Sequence, residues 1–221
     1  MTHEEILQGL YDHTLVGNAP EVKDLVNQGL GDALEPEKML YDALIPSLEE
    51  VGARFERGDF FVPEMLIAGR AMAGAMERLR PLLAETGVET VGKFLMGTVK
   101  GDVHDIGKNL VNIMLEGAGF EVIDLGVQVP PERFVEKIIE HQPDIVGMSA
   151  FLTTTMPMFK ANMNALQKAG LRDTVIVMVG GAPVTQEYAD AVGADGYAAD
   201  ASATVKKAKA LLHEKRAKVP A

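Results

Sequence analysis

The hydrophobic rhythm of this 221-residue chain changes once, near Glu85–Gly92, and that change limits the fold more than any other feature. Up to about Glu85 the apolar residues recur at helical spacing. Leu40, Leu44, Leu48, Val51 and Phe55 mark one face, and Met65, Ile67, Met72, Met76 and Leu79 another. Helices are predicted at Glu4–Val16, Pro20–Gly29, Pro36–Arg57 and Pro63–Ala84. Pro20, Pro36 and Pro63 sit at or near helix starts, where a missing amide hydrogen costs least. Pro46, inside the third pattern, predicts a kink. Short connections between four such helices point to an antiparallel four-helix bundle.

Beyond Gly92 the rhythm alternates. Strand-like runs at Lys93–Val99, Glu121–Leu125, Ile145–Ser149, Val175–Val179 and Gly196–Ala198 are separated by helical ones. Those helices fall near Gly107–Gly117, Pro131–His141, Met156–Gly170 and Gln186–Val192, with a last one from about Ala201 to Arg216. The alternation predicts an α/β fold, a doubly wound, Rossmann/flavodoxin-like sheet of five parallel strands. The expected division is a helical domain over 1–87 and a sheet domain over 88–221, joined by a linker that can act as a hinge.

Composition narrows the function. The net charge of −11 argues against nucleic acid, which needs clustered Lys and Arg. It favours protein partners with basic docking patches. The one basic cluster, Lys206 to Lys218, lies on a helical pattern and reads as a solvated face. No apolar run is long enough to span a bilayer, so no membrane role and a cytoplasmic location are expected. Without cysteine there are no thiolate metal sites and no thiol nucleophiles.

In such a sheet, ligands bind beyond the carboxyl ends of the strands. His104 follows the first strand there, within Asp102-Val103-His104-Asp105-Ile106-Gly107. Alone, this short motif carries little weight, because a loop histidine is more often solvent-exposed or structurally bonded. Ser149 ends the third strand, and Gly180-Gly181 ends the fourth. Forty-one residues separate Gly107 from Ser149, and 28 separate Phe151 from Gly180.

This order and spacing resemble the cobalamin-binding signature of the methionine synthase family and its relatives: Asp-x-His-x-x-Gly, Ser-x-Leu, Gly-Gly. The helical half resembles the cap that precedes that domain, with Gly58-Asp59-Phe60-Phe61-Val62-Pro63-Glu64-Met65 similar to the cap-helix entry. The layout is closest to the stand-alone corrinoid proteins of methyltransferase systems. One departure is Phe151, which stands where the family has Leu.

The resemblance implies cobalamin, as methylcobalamin or another corrinoid, bound with its own base displaced from cobalt. His104 then becomes the lower axial ligand and sole metal-binding side chain. Neutral imidazole suits such a metal, and its second nitrogen needs an acceptor. Asp102 is expected to take that nitrogen and to share its proton. Ser149 is expected to donate to Asp102, completing a relay that biases ligand exchange. Val103, Asp105, Ile106 and Gly107 surround the ligand, and Asp105 also suits a helix N-cap. Gly126, Ser149, Leu152, Thr153, Thr154, Gly180, Gly181 and Ala182 are expected to line the slot for the nucleotide tail. Tyr197, Ala199, Asp200 and Ala201 lie where the tail can also be reached. Phe61, Met65 and Met72 are expected to cover the cobalt, although a Met stripe at helical spacing is equally bundle core.

The function implied is a methyl carrier, a subunit of a methyltransferase system with no substrate site of its own. Its partners would be a donor-specific methyltransferase, an acceptor methyltransferase using tetrahydrofolate or a thiol, and a reductive activase. Three other readings compete. A cobalamin-dependent sensor or regulator would need a DNA-binding module. A cobalamin subunit of a mutase would not need the helical cap. A flavodoxin-like protein without cobalamin would be colourless.

Overall fold

The structure, a computed structural model, describes residues 1–85 and 90–218. The middle of the expected linker and hinge near Glu85–Gly92, residues 86–89, lies outside the described residues. The chain forms two compact units, one of Met1–Thr90 with Glu116–Gly119, the other of Val91–Leu115 with Phe120–Ala221.

The first unit is built from helical rods. Helix α1 (His3–Leu15) starts at Thr2, whose hydroxyl accepts from the Glu5 amide while Glu5 bonds back to the Thr2 amide. Helix α2 (Ala19–Gly31) carries Pro20 in its first turn and packs on α1. The third rod departs from expectation. It is three segments: α3 (Pro36–Lys38), a π-helical stretch (Met39–Leu44) and α4 (Ile45–Arg57). Pro46 explains the break. It cannot donate to Asp42, and its ring would clash with that carbonyl in an ideal α-helix. The π register, in which the Ile45 amide reaches Leu40, widens the turn ahead of it. The rod ends at Gly58, whose φ of 78° makes a left-handed cap. Helix α5 (Val62–Glu85) buries Met65, Ala68, Ala71, Met72, Ala75 and Leu79 along one stripe. Its small residues let α2 approach closely.

The second unit is the expected doubly wound sheet. The strands are β1 (Lys93–Thr98), β2 (Glu121–Asp124), β3 (Ile145–Ser149), β4 (Ile176–Gly180) and β5 (Gly196–Tyr197). All pair in parallel, in the order β2-β1-β3-β4-β5. Helices α6 (Ile106–Gly117), α7 (Pro131–His141), α8 (Pro157–Lys168), α9 (Gln186–Val192) and α10 (Ala201–Lys218) make the crossovers and the final helix. Strands β1, β3 and β4 are buried nearly throughout, which is why they read as continuous apolar runs rather than alternating ones. Phe134 of α7 and Phe159 of α8 are wholly buried in the core cluster around these strands.

Replacing Phe134 by Ala should lower the unfolding free energy by about 3–5 kcal/mol. The check is the urea midpoint, and a midpoint matching the parent's would show that the ring is not part of the core.

Candidate functional site

The sheet register sets up the site. Thr98 of β1 pairs with Ser149 of β3, and Ser149 with Gly180 of β4, so three strands end at one level. The strand order reverses between β1 and β3, and the crevice beyond that point is where open parallel sheets bind ligands. The loop after β1 and the turn after β3 meet there.

They meet on Asp102, which has no exposed surface. Its Oδ1 accepts from the His104 amide at 3.1 Å and lies 2.7 Å from His104 Nδ1. Its Oδ2 accepts from the amides of Phe151 at 2.8 Å and Leu152 at 3.2 Å, and from the Thr155 hydroxyl at 2.6 Å. Burial pushes this carboxyl upward. The hydrogen bonds from Thr155, from the amide and ring of His104, and from the Phe151 amide outweigh it and hold the group well below the ordinary carboxylate range. Asp102 is therefore ionised and can only accept.

That constrains the tautomer of His104. Facing an ionised carboxylate, its Nδ1 carries a proton, and in the neutral ring Nε2 keeps a lone pair. The Thr98 hydroxyl pins the loop by donating to the His104 carbonyl at 3.0 Å. The His104 side chain is 42% exposed. Phe151, half exposed, stacks on its ring with centroids 4.3 Å apart and planes 26° from parallel. Val103, Ile106 and Leu152 are exposed apolar side chains of the same two connections. Asp105 ends the loop just before α6. Its carbonyl accepts from the Asn109 amide and its carboxylate from the Asn109 side chain.

The glycines divide into two kinds. A Cβ on Gly181, where φ is 133°, would lie 1.9 Å from the Ala150 carbonyl oxygen, so the meeting of two strand ends already demands glycine. A Cβ on Gly107 or Gly126 would meet nothing within 4 Å, and on Gly180 only the Ala198 carbonyl at 3.6 Å. No internal contact accounts for glycine at Gly107 or Gly180, which leaves open walls beside the histidine loop and the β4 end.

One expectation needs correction. The hydroxyl on Asp102 belongs to Thr155, not to Ser149, whose backbone carbonyl instead accepts from Val99. Thr153 and Thr154 are exposed, while Thr155 is buried. The turn after β3 coils so that the third threonine, not the first two, points inward. Met65 and Met72 are fully buried and present no open surface, whereas Phe61 is exposed. Asp200 caps α10 by accepting from the Ala203 amide, and Ala201 is buried. Tyr197 is partly buried against the sheet core. Ala182 and Ala199 are exposed at the ends of the connections after β4 and β5.

One partnership was not foreseen. Lys108 in α6 is almost wholly buried and donates to Asp124 at 2.5 Å and to Asn109 at 2.7 Å. Asp124 also accepts from the Gly126 amide, and the Gly126 carbonyl accepts from Thr98. This chain fixes the β2 end against the histidine loop. A lysine within a helix that otherwise reads as amphipathic gave no signal of burial.

The donor set tells what the site fits. Among the described residues no group of three His, Asp or Glu side chains could hold a bare metal ion. One exposed imidazole can ligate only a metal that brings its own equatorial donors. Such a ring would find apolar neighbours in Val103, Ile106, Phe151 and Leu152. The residues present therefore fit a metal-bearing macrocycle with a single protein ligand.

Comparison with known proteins agrees. Residues 92–206 match one B12 binding domain family, and residues 6–80 match another. The dimethylamine corrinoid protein of Methanosarcina barkeri is 45% identical over 213 residues, 96% of this chain and 100% of that protein. This chain belongs to the B12-binding corrinoid proteins. Its cofactor is cobalamin or another corrinoid, with cobalt at its centre. Two solved structures place the fold in this family. A chain of the methanol:cobalamin methyltransferase complex MtaBC from Methanosarcina barkeri is similar at TM-score 0.84 and 26% identity, covering 96% of this chain and 81% of that one. A cobalamin-binding protein from Desulfitobacterium hafniense DCB-2 matches at TM-score 0.72 and 32% identity, over 92% and 97% of the two chains. As for membranes, no helix among the described residues of this corrinoid protein is long and apolar enough to cross one.

Asp102 makes a pH prediction. Its folded pKa lies below its ordinary value of 3.8, so its contribution to stability is present above that value and is lost as pH falls below it. Asp102→Asn should lower stability at neutral pH and flatten the acid limb below about pH 4. Denaturant unfolding across pH 2–7 tests this, and parallel pH profiles for both proteins would contradict it.

Proposed function

We propose that this corrinoid protein is a methyl carrier in which His104 is the lower axial ligand of cobalt. Cobalamin, when bound, supplies a metal centre that accepts a methyl group from one partner and yields it to another. The protein's part is to hold the ligand. Asp102 keeps the His104 proton on Nδ1, so Nε2 presents its lone pair outward. The four other donors, the His104, Phe151 and Leu152 amides and the Thr155 hydroxyl, would keep the carboxylate in place whatever the imidazole does at cobalt. Gly107, Gly126 and Gly180 leave room for the cofactor beside it. The observation that carries this reading is an exposed imidazole anchored by a buried, ionised carboxylate at the sheet's switch point.

The 45% identity to a dimethylamine corrinoid protein favours a methylamine as methyl donor. The donor partner is then a methylamine-specific methyltransferase. An acceptor methyltransferase, using tetrahydrofolate or a thiol, removes the methyl group, and a reductive activase restores cobalt that has been oxidised. Specificity for the amine resides in the donor enzyme, because the two units of this chain are occupied by helical cap and cofactor fold. A cytoplasmic setting suits such an exchange between partners.

His104→Ala should alter the absorption spectrum of the reconstituted protein and slow cofactor methylation by at least an order of magnitude, about 1.4 kcal/mol of barrier. The measurement is reconstitution with cobalamin followed by assays with mono-, di- and trimethylamine methyltransferases. A variant with the parent's spectrum and rate would end the ligand assignment.

A further inference from the structure

Phe151 is the one large aromatic side chain at the site that the core does not explain. It is half exposed and its ring lies flat against His104. Its backbone is among the most constrained at the site. The amide donates to Asp102 Oδ2 at 2.8 Å, and the preceding Ala150 is buried with its carbonyl against Gly181. Four residues on, Thr155 bonds the same carboxylate oxygen. A rigid turn therefore presents the ring, and the same residue holds Asp102 by its amide and His104 by its face.

A single hydrogen bond at Nδ1 fixes one edge of an imidazole but leaves the ring free to swing about that bond. A flat partner at 4.3 Å removes that freedom. Leucine, which the Ser-x-Leu signature carries at this position, would supply apolar volume without a plane. From this juxtaposition we infer that Phe151 is a positioning residue: it sets the plane of the His104 imidazole so that Nε2 is aligned for cobalt before the corrinoid arrives. The inference rests on the ligand reading of His104. Its effect is preorganisation, so it acts on cofactor affinity and on the fraction of protein with imidazole bound, more than on folding. Phe151 is exposed enough that Leu or Tyr can replace it without disturbing the core.

The test compares the parent protein with Phe151→Leu and Phe151→Tyr. In cofactor-free protein, NMR should show His104 ring protons shifted upfield by the stacked ring, normal in the Leu variant and shifted again in the Tyr variant. In protein labelled with [15N]histidine and loaded with cob(II)alamin, electron paramagnetic resonance should show a nitrogen doublet from the bound imidazole. The Leu variant should bind cobalamin about three- to tenfold more weakly and lose part of the doublet, and Tyr should restore both. Equal affinity and equal doublet in parent and Leu variant would overturn the inference. Absence of the doublet in the parent would overturn the ligand reading itself, and that failure is distinct because it precedes any substitution.

Discussion

The site depends on one buried carboxylate. Asp102 sits in the crevice between β1 and β3 and gathers donors from both sides of it. Burying a charge is costly unless its lone pairs are filled, and here the His104 and Phe151 amides, the imidazole and the Thr155 hydroxyl fill them. Because those donors come from two separate connections, the carboxylate is also a tie. It closes the loop after β1 onto the turn after β3. The orientation of His104 follows from that closure, which brings Asp102 Oδ1 to its Nδ1 and the Phe151 ring to its face.

The closure in turn needs the parallel sheet. Thr98, Ser149 and Gly180 share one register level, which brings three strand ends together. Gly181 allows the β4 end to press on Ala150, and Thr98 donates to the His104 carbonyl from behind. The Lys108–Asp124 pair braces the remaining side. Each support is ordinary. Their sum is an imidazole fixed at one nitrogen and open at the other, among exposed apolar side chains. That is an unusual surface for a protein to carry without a cofactor, and a corrinoid suits both the apolar rim and the single imidazole that the proposed reading makes its ligand.

Much of this was legible in the sequence. The helix Pro131–His141, the strand Ile145–Ser149 and the helix Gln186–Val192 have the expected ends, because caps, prolines and apolar runs mark them directly. The histidine motif and its distance from Ser149 and Gly180 located the crevice. Spacing failed where the backbone leaves regular geometry. The π stretch at Met39–Leu44 hides inside a helical pattern, since its buried Met39, Leu40, Ala43 and Leu44 still fit helical spacing. In the run Thr153-Thr154-Thr155, only the coiling of a turn decides which hydroxyl faces Asp102. Burial of Lys108 and the stack of Phe151 on His104 are tertiary events with no local signature. The Met65 and Met72 stripe fits core and cofactor cover equally well as a pattern, and the structure places both in buried positions.

The claim on which the rest turns is that Asp102 dictates which nitrogen of His104 is available. Long-range 1H–15N correlation spectra of cofactor-free protein, labelled with [15N]histidine and recorded at neutral pH, test it most directly. In the neutral ring the account predicts a protonated Nδ1 and an unprotonated Nε2 on His104. A spectrum with the proton on Nε2, or with both tautomers populated, would contradict it.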